Sequence, residues 1–277
     1  MRRVVVGIWV AAVCLFAAPA ALATVQRATA GDITAAFSFT GTFPNYHHQQ
    51  LTISQGGTVV YNQPVVSKVC GSLCAPGAPE PGYSSVHILD VEHNGRPDVI
   101  LDLFSGGAHC CAIEQIFTLN PATSTYAETE HNFGDPGARI VDLGHDGSYE
   151  FLTADDAFAY EFTSYAGSGL PIQILTFSAG RFTDVTSAHR SLVVHDAAVW
   201  LKAYRGLARQ HYAASTGVIA AWAADEDRLG HSGLVNRYLR AQARLGHLNS
   251  GMGPLEPSGR RFIAALQRFL HRHGYLH

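Results

Sequence analysis

Asp90-Val-Glu-His-Asn-Gly-Arg-Pro-Asp98 runs straight into the apolar segment Val99-Ile-Leu-Asp-Leu-Phe104, then Ser105-Gly-Gly107 and His109-Cys110-Cys111. This is an acidic nine-residue loop with glycine at its sixth position, followed by strand-forming residues. A second loop of the same plan, Asp142-Leu-Gly-His-Asp-Gly-Ser-Tyr-Glu150, precedes Phe151-Leu-Thr-Ala154. The loops begin 52 residues apart. Strand, acidic loop, strand, longer strand, turn, strand, repeated at a period near 50, is the pattern of a propeller-like blade. The predicted units are 84–131 and 132–186, with 32–69 as a degenerate third. Three units fall short of a closed ring, so the expected β-part is a partial or open propeller.

The flanking residues extend this reading. Asp32–Thr42 alternates and is rich in β-formers, which predicts a strand. Gln50–Ser54 and Thr58–Asn62 flank Gln55-Gly-Gly57, where glycine supplies the positive φ of a tight hairpin. Pro76-Gly-Ala-Pro-Glu-Pro-Gly82 predicts a stiff loop. Ile172–Phe177 and Arg181–Val185 form another hairpin. After His189 the apolar spacing becomes helical. Stripes are expected at Val199, Leu201, Tyr204 and Leu207; at Val218, Ala221 and Trp222; at Leu234, Tyr238, Leu239 and Leu245; and at Phe262, Ile263, Leu266, Phe269 and Leu270. The fold class is therefore α+β, an antiparallel β-domain over 24–187 followed by a four-helix region over 188–277.

The chain opens with Met1-Arg-Arg3, an apolar run from Val4 to Ala18, and Ala21-Leu-Ala23. That is the form of a secretory signal, with cleavage expected after Ala23. Val13 is a poor neighbour for lipidation of Cys14, which wants a small residue there. No later stretch is long and apolar enough to span a bilayer. An exported chain with Cys70, Cys74, Cys110 and Cys111 is expected to carry disulfides. A ring between adjacent cysteines is strained, so cross-pairing of Cys70 and Cys74 with Cys110 and Cys111 is favoured. Each bridge then closes roughly 40 residues and stabilises by about 4 kcal/mol in a chain-entropy account. A soft-metal site of these cysteines with His109 is the competing reading.

Charge is unevenly placed. Residues 24–187 hold 17 acidic against 5 basic side chains, and residues 188–277 hold 5 against 12. The halves are expected to attract each other. A basic face meeting an anionic cell-wall polymer is the sharper alternative. Nucleic acid is excluded by export and by the lack of a basic cluster interleaved with aromatics.

The loops carry the clearest chemistry. A hard cation such as calcium takes six to eight oxygens. The first loop offers Asp90, Glu92, Asn94 and Asp98 with the carbonyl of Arg96, and glycine at position 6 permits the sharp turn. The second offers Asp142, Asp146 and Glu150 with the carbonyl of Ser148, but Gly144 removes one ligand and lowers the expected affinity. The competing reading is a plain Asx-rich turn. His93 and His145 are expected to face solvent. No nucleophile elbow, zinc-protease helix or phosphate loop is present. Asp155-Asp156, near Tyr160 and Glu161, is the best carboxylate pair outside the loops.

Phe133-Gly134, followed by Ala138-Arg-Ile-Val-Asp142 and the loop through Glu150-Phe-Leu152, resembles the FG-GAP or VCBS-type repeat of integrin-like propellers. The resemblance covers about Ser84 to Thr186 and implies calcium between the first two strands of a blade. Gly106-Gly-Ala-His-Cys-Cys111 with Asp155–Tyr165 is similar to exported bacterial proteins that carry such repeats. Arg261–Leu276 is similar to the first helix of peptidoglycan-binding domains, and is read here as a closing amphipathic helix. The expected function is a calcium-stabilised binding or scaffold protein of the cell exterior, meeting a cell-wall polymer or another exported protein. An envelope glycan hydrolase and a peptidoglycan binder acting through the basic helices are the alternatives.

Overall fold

A computed structural model describes residues 23–77, 83–210, 215–250 and 257–276. The signal segment, Cys14, most of the proline-rich loop and His277 lie outside the described residues. Three antiparallel meanders follow one another along the chain. The first is β1 (Thr24–Ala30), β2 (Ile33–Thr42), β3 (Asn45–Gln55) and β4 (Thr58–Pro64). The second is built on β6 (Val86–Leu89), β7 (Asp98–Gly107), β8 (Cys110–Asn120) and β9 (Thr125–Asn132), with the short β5 (Ala75–Pro76) on the same edge of β7 as β6. The third is β10 (Arg139–Val141), β11 (Glu150–Ala154), β12 (Ile172–Ser178) and β13 (Arg181–Asp184). Each acidic loop joins the first strand of its meander to the second.

Alternation explains the layering. Odd-numbered β7 positions Val99, Leu101 and Leu103 pack with Phe37, Leu51 and Ile53 of the first sheet. Ile100 on the opposite face packs with Phe151, Leu175 and Phe177 of the third sheet. The middle sheet is thus covered on both sides, which is why β7 reads as a near-continuous apolar run. Among the described residues no sheet closes into a barrel.

The cysteines pair differently from expectation. Cys70 is bonded to Cys74, and Cys110 to Cys111. Paired backbone bonds between Ser67 and Gly71 tighten that turn and leave the Cα atoms of Cys70 and Cys74 5.3 Å apart, a normal bridging distance. Local geometry therefore wins over the larger loop entropy of cross-pairing. Side-chain amides take over the task of tying this loop down. Gln49 donates to the carbonyl of Cys74 (2.6 Å) and Gln115 to that of Val66 (2.9 Å).

Four helices follow: α1 (Arg190–Arg209), α2 (Thr216–Arg228), α3 (Ser232–Arg244) and α4 (Gly259–Arg272). The α4 stripe is buried as expected, from Phe262 to Leu270. The α2 stripe at Val218, Ala221 and Trp222 is buried too, whereas those of α1 and α3 are buried only in part. α2 is buried on every side from Thr216 to Asp225, because it is the central helix. Two glycines allow the close approach it needs. A Cβ on Gly217 would collide with the carbonyl of Gly167, and one on Gly169 would lie 2.8 Å from the Ala221 methyl carbon. On α1 the buried set is Val193, Ala197 and Tyr204, while Val199 is exposed. On α3 it is Val235 and Leu239, with Leu234 and Leu245 exposed. α1 begins nine residues before the first position of the expected stripe, and its inward face runs through Val193, Ala197 and Tyr204.

The helical core recruits Phe158 and Phe162 from the segment after β11. The junction is polar as well. Arg228 binds Asp184 at 3.0 Å and lies 4.4 Å over the Tyr275 ring, whose hydroxyl donates to Asp155 (2.8 Å). Burial pushes the Asp184 carboxyl up, but the Thr186 hydroxyl and Arg228 outweigh it and hold it below the usual range. Next to this pair, Asp225 is fully buried and neither carboxyl oxygen has a hydrogen-bond partner with ordinary geometry. Burial, then the Asp196 carboxylate, pushes its pKa up to about 10 against the pull of Arg228. Folded Asp225 thus keeps a proton that the unfolded chain releases above about pH 4. This contribution to stability is fully present at low pH and is lost progressively as pH rises toward the folded value. We predict that Asp225→Asn raises the melting temperature at pH 8, and that its advantage over the native chain shrinks by roughly 4 kcal/mol on lowering the pH to 5. Melting curves across that range provide the check, and an equal or growing advantage at pH 5 contradicts it.

Candidate functional site

The two acidic loops share one backbone. His93 and His145 at position 4 have φ of 50° and 55°, and Gly95 and Gly147 at position 6 have φ of 80° and 86°. Asp90 accepts the N–H groups of Asn94 (3.0 Å) and Gly95 (2.7 Å). Asp142 accepts those of Asp146 (3.1 Å) and Gly147 (3.0 Å). The N–H of Arg96 donates to Asn94 and that of Ser148 to Asp146, each at 2.9 Å. The loops also touch. His93 does not simply face solvent, because its Nδ1 lies 3.0 Å from the Gly147 carbonyl and donates to it. That contact brings the middle and third sheets together at one end.

They differ at the residues that would hold a cation. In the second loop Glu150 accepts the Leu143 N–H at 3.0 Å and Gly144 offers no side chain. With Gly144 lacking a side chain and Glu150 engaged by the backbone, that loop offers a cation fewer free oxygens than the first. In the first loop Asp98 is 2% exposed and its Oδ2 has no partner. Burial, then the nearby Glu92 charge, raises its pKa to about 7. An orphaned carboxylate oxygen beside further acids is what a cation would satisfy, so the residues of this loop fit one. Glu92 is partly diverted, since its Oε1 accepts the Ala179 N–H (2.5 Å) and its Oε2 the Asn94 amide (2.9 Å). Among the described residues no three His, Cys, Asp or Glu side chains group as a metal site. A calcium set here therefore depends on Asn94 and the Arg96 carbonyl as well as Asp90 and Asp98.

Asp155 and Asp156 serve the fold. Asp155 caps a short 3-10 turn by accepting the Ala157 N–H (3.0 Å), and its other oxygen takes the Tyr275 hydroxyl. Asp156 packs on Gly134, where a Cβ would collide with its carboxyl. Burial, then the Asp135 charge, raises its pKa even though the Asp135 N–H lowers it. A second acidic group was not singled out by the sequence. His87 meets Asp102 at 2.8 Å, and Asp102 lies opposite Glu114 in the β7–β8 register. Glu114 is 6% exposed, one of its oxygens is unpartnered, and burial, then Asp102, pushes its pKa well up. Only strand register brings these three together, so no motif marks them.

The two segments quoted with the exported proteins, Gly106–Cys111 and Asp155–Tyr165, meet in space. The His109 ring stacks on Tyr165 with centroids 4.1 Å apart, and Tyr160 lies 5.4 Å from Tyr165. The Phe43 ring, from the β2–β3 turn, approaches the same β7–β8 turn at Gly106. Phe43 and Tyr160 are 60% and 57% exposed. Tyr160 has φ of +62°, a region that side chains with a Cβ rarely occupy. Its N–H donates to the Ser168 hydroxyl (3.0 Å), which in turn donates to the Ser164 carbonyl. His109, Tyr160 and Tyr165 thus form one ring cluster beside the Cys110–Cys111 hairpin, and Phe43 approaches that hairpin at Gly106. Phe43 had no signal in the sequence, whereas Tyr160 and Tyr165 lie in the segment Asp155–Tyr165.

No family model matches the chain, and no solved structure matches it. It is 34% identical over 122 residues to a probable thylakoid lumen protein of Synechocystis, covering 43% of this chain and 36% of that protein. It is 31% identical over 141 residues to an uncharacterised protein of Sinorhizobium fredii, covering 50% of this chain and 22% of that one. The chain thus matches 36% and 22% of the length of these two relatives, well under two thirds of either.

Proposed function

We propose that this chain is an extracytoplasmic binding module that holds a sugar ring of an envelope polymer on the aromatic face formed by Phe43, His109, Tyr160 and Tyr165. Tyr160 carries the reading. A large ring is kept more than half exposed on strained backbone, and such strain persists where the surroundings impose it, most often at functional sites. Contiguous exposed aromatic surface marks a binding site. Flat rings suit the C–H face of a sugar. The lumenal relative and the two disulfides support an exterior location. No helix among the described residues is long and apolar enough to cross a membrane.

The scaffold is read as three blades of an open propeller with one calcium at Asp90–Asp98. Support comes from the three successive meanders and from the loop at the same place in two of them. The orphaned Asp98 oxygen supports the ion.

Two outcomes follow from this reading. Insoluble cell wall retains the protein, and Tyr160→Ala weakens retention by about tenfold or more, as expected for loss of one aromatic anchor, with an unchanged melting temperature. Equal retention contradicts the site. Calcium at about 100 times its Kd adds about 2.7 kcal/mol of stability, seen as a rise in melting temperature that EDTA reverses. Asp98→Asn keeps the fold and abolishes the rise. A native protein indifferent to calcium contradicts the ion.

A further inference from the structure

Between the C-terminal halves of α1 and α3 lies an open groove of about 780 Å³. Leu201, Tyr204, Ala208, Tyr238 and Leu245 supply its apolar lining. The lining is firm where it is deepest. Tyr204 is fully buried, and Tyr238 packs on Trp222 with ring centroids 4.9 Å apart. It is exposed at its lip, where Leu245 is 63% accessible. Leu245 was expected to pack inward with the α3 stripe. Its exposure beside Leu201 and Ala208 leaves apolar surface that the fold itself does not use.

The rim has one sign. Lys202, Arg205 and Arg209 all line the groove, and their spacing of three and four residues puts them on one face of α1. All three are exposed, and among the described residues no Asp or Glu lines the groove. One polar group sits at the wall between the helices. The Gln242 carbonyl oxygen accepts both the Tyr204 hydroxyl (3.1 Å) and His247 Nδ1 (3.0 Å). With that oxygen engaged, Gln242 presents its amide as a donor. The rim is thus cationic and the wall presents the Gln242 amide as a donor, above an apolar floor.

We propose that this groove binds a single free amphiphile with an anionic head and an apolar tail, the tail along Leu201, Tyr238 and Leu245 and the head against Lys202, Arg205 and Arg209. Charge complementarity fixes the head, since only an anion satisfies three cations with no acid nearby. Size fixes the kind of occupant. The volume is that of a small-molecule site, about 300–1,000 Å³, and too small for a folded partner. Concavity favours one enclosed tail over a flat lipid surface. These residues are distinct from the aromatic cluster, so either site can fail without the other.

Calorimetric titration of the full-length exported protein with dodecanoate, below its micelle concentration, tests this. Saturable one-to-one binding is expected, with no binding of butyrate, which has the head alone, or of dodecyltrimethylammonium, which has the tail with a cation. The double variant Lys202→Glu/Arg205→Glu should weaken dodecanoate by about tenfold or more, and Leu245→Gln, at an exposed position, by several fold. Both should keep the native melting temperature. Absence of saturable dodecanoate binding, equal affinity for the cationic amphiphile, or affinity unmoved by charge reversal overturns the proposal. So does co-sedimentation with anionic phosphatidylglycerol vesicles without binding of the free molecule, which would make the face a lipid-surface contact.

Discussion

Arg228 is the cation on which the junction depends. It stands on the central helix, binds Asp184 at the end of the last strand, and covers the ring of Tyr275 from the final segment. Tyr275 passes the connection to Asp155. One side chain thus joins the third sheet, the helical core and the chain between them. Its own side chain is only 10% exposed, so loss of the partner charge leaves a costly desolvated group. Asp184 is 39% exposed, and solvent reduces the value of the pair below that of a fully buried one. A buried charge of this kind needs neighbours that do not relax, and α2 supplies them through its all-round burial.

The placement of the aromatic face follows from this junction. Tyr160 and Tyr165 belong to the short turns between β11 and β12, where Phe158 and Phe162 are drawn into the helical core and Gly169 lies against Ala221. The backbone of 155–171 is therefore pinned from beneath by α2 and at its start by Tyr275. His109 comes from the opposite side, on a hairpin of the middle sheet that is covered on both faces. The face is assembled where two well-supported parts of the molecule meet. Surface rings set on such supports are pre-ordered, which lowers the entropy lost on binding.

The regular elements were legible where local chemistry decides them. Gly56-Gly57 marks its hairpin, the acidic loops mark the first turn of two meanders, and the α4 stripe is buried residue for residue. Other features depend on tertiary context. β1 was missed because Val25-Gln-Arg-Ala-Thr29 has no marked alternation and follows directly on the signal segment. The burial of α2 on every side could not be told from an amphipathic stripe by spacing alone. Entropy argued for long disulfide loops, but the tight turn at Ser67–Gly71 places Cys70 beside Cys74. The opposition of acidic and basic halves was visible, and Arg228–Asp184 is one contact that expresses it. The exposed cations Lys202, Arg205 and Arg209 of α1 are not consumed in that way, and they form the rim of the groove. The His87–Asp102–Glu114 group and the position of Phe43 needed the register of the sheets and the convergence of turns.

The central claim is that the junction at Arg228 holds the aromatic face in place. Hydrogen exchange on Arg228→Met, a substitution of similar length without charge, tests it most directly. The account predicts faster exchange across residues 155–171 and at Tyr275, with protection of β2, β3, β7 and β8 retained, since those strands rest on their own cores. Unchanged exchange over 155–171, or a uniform loss of protection across all three sheets, would contradict it.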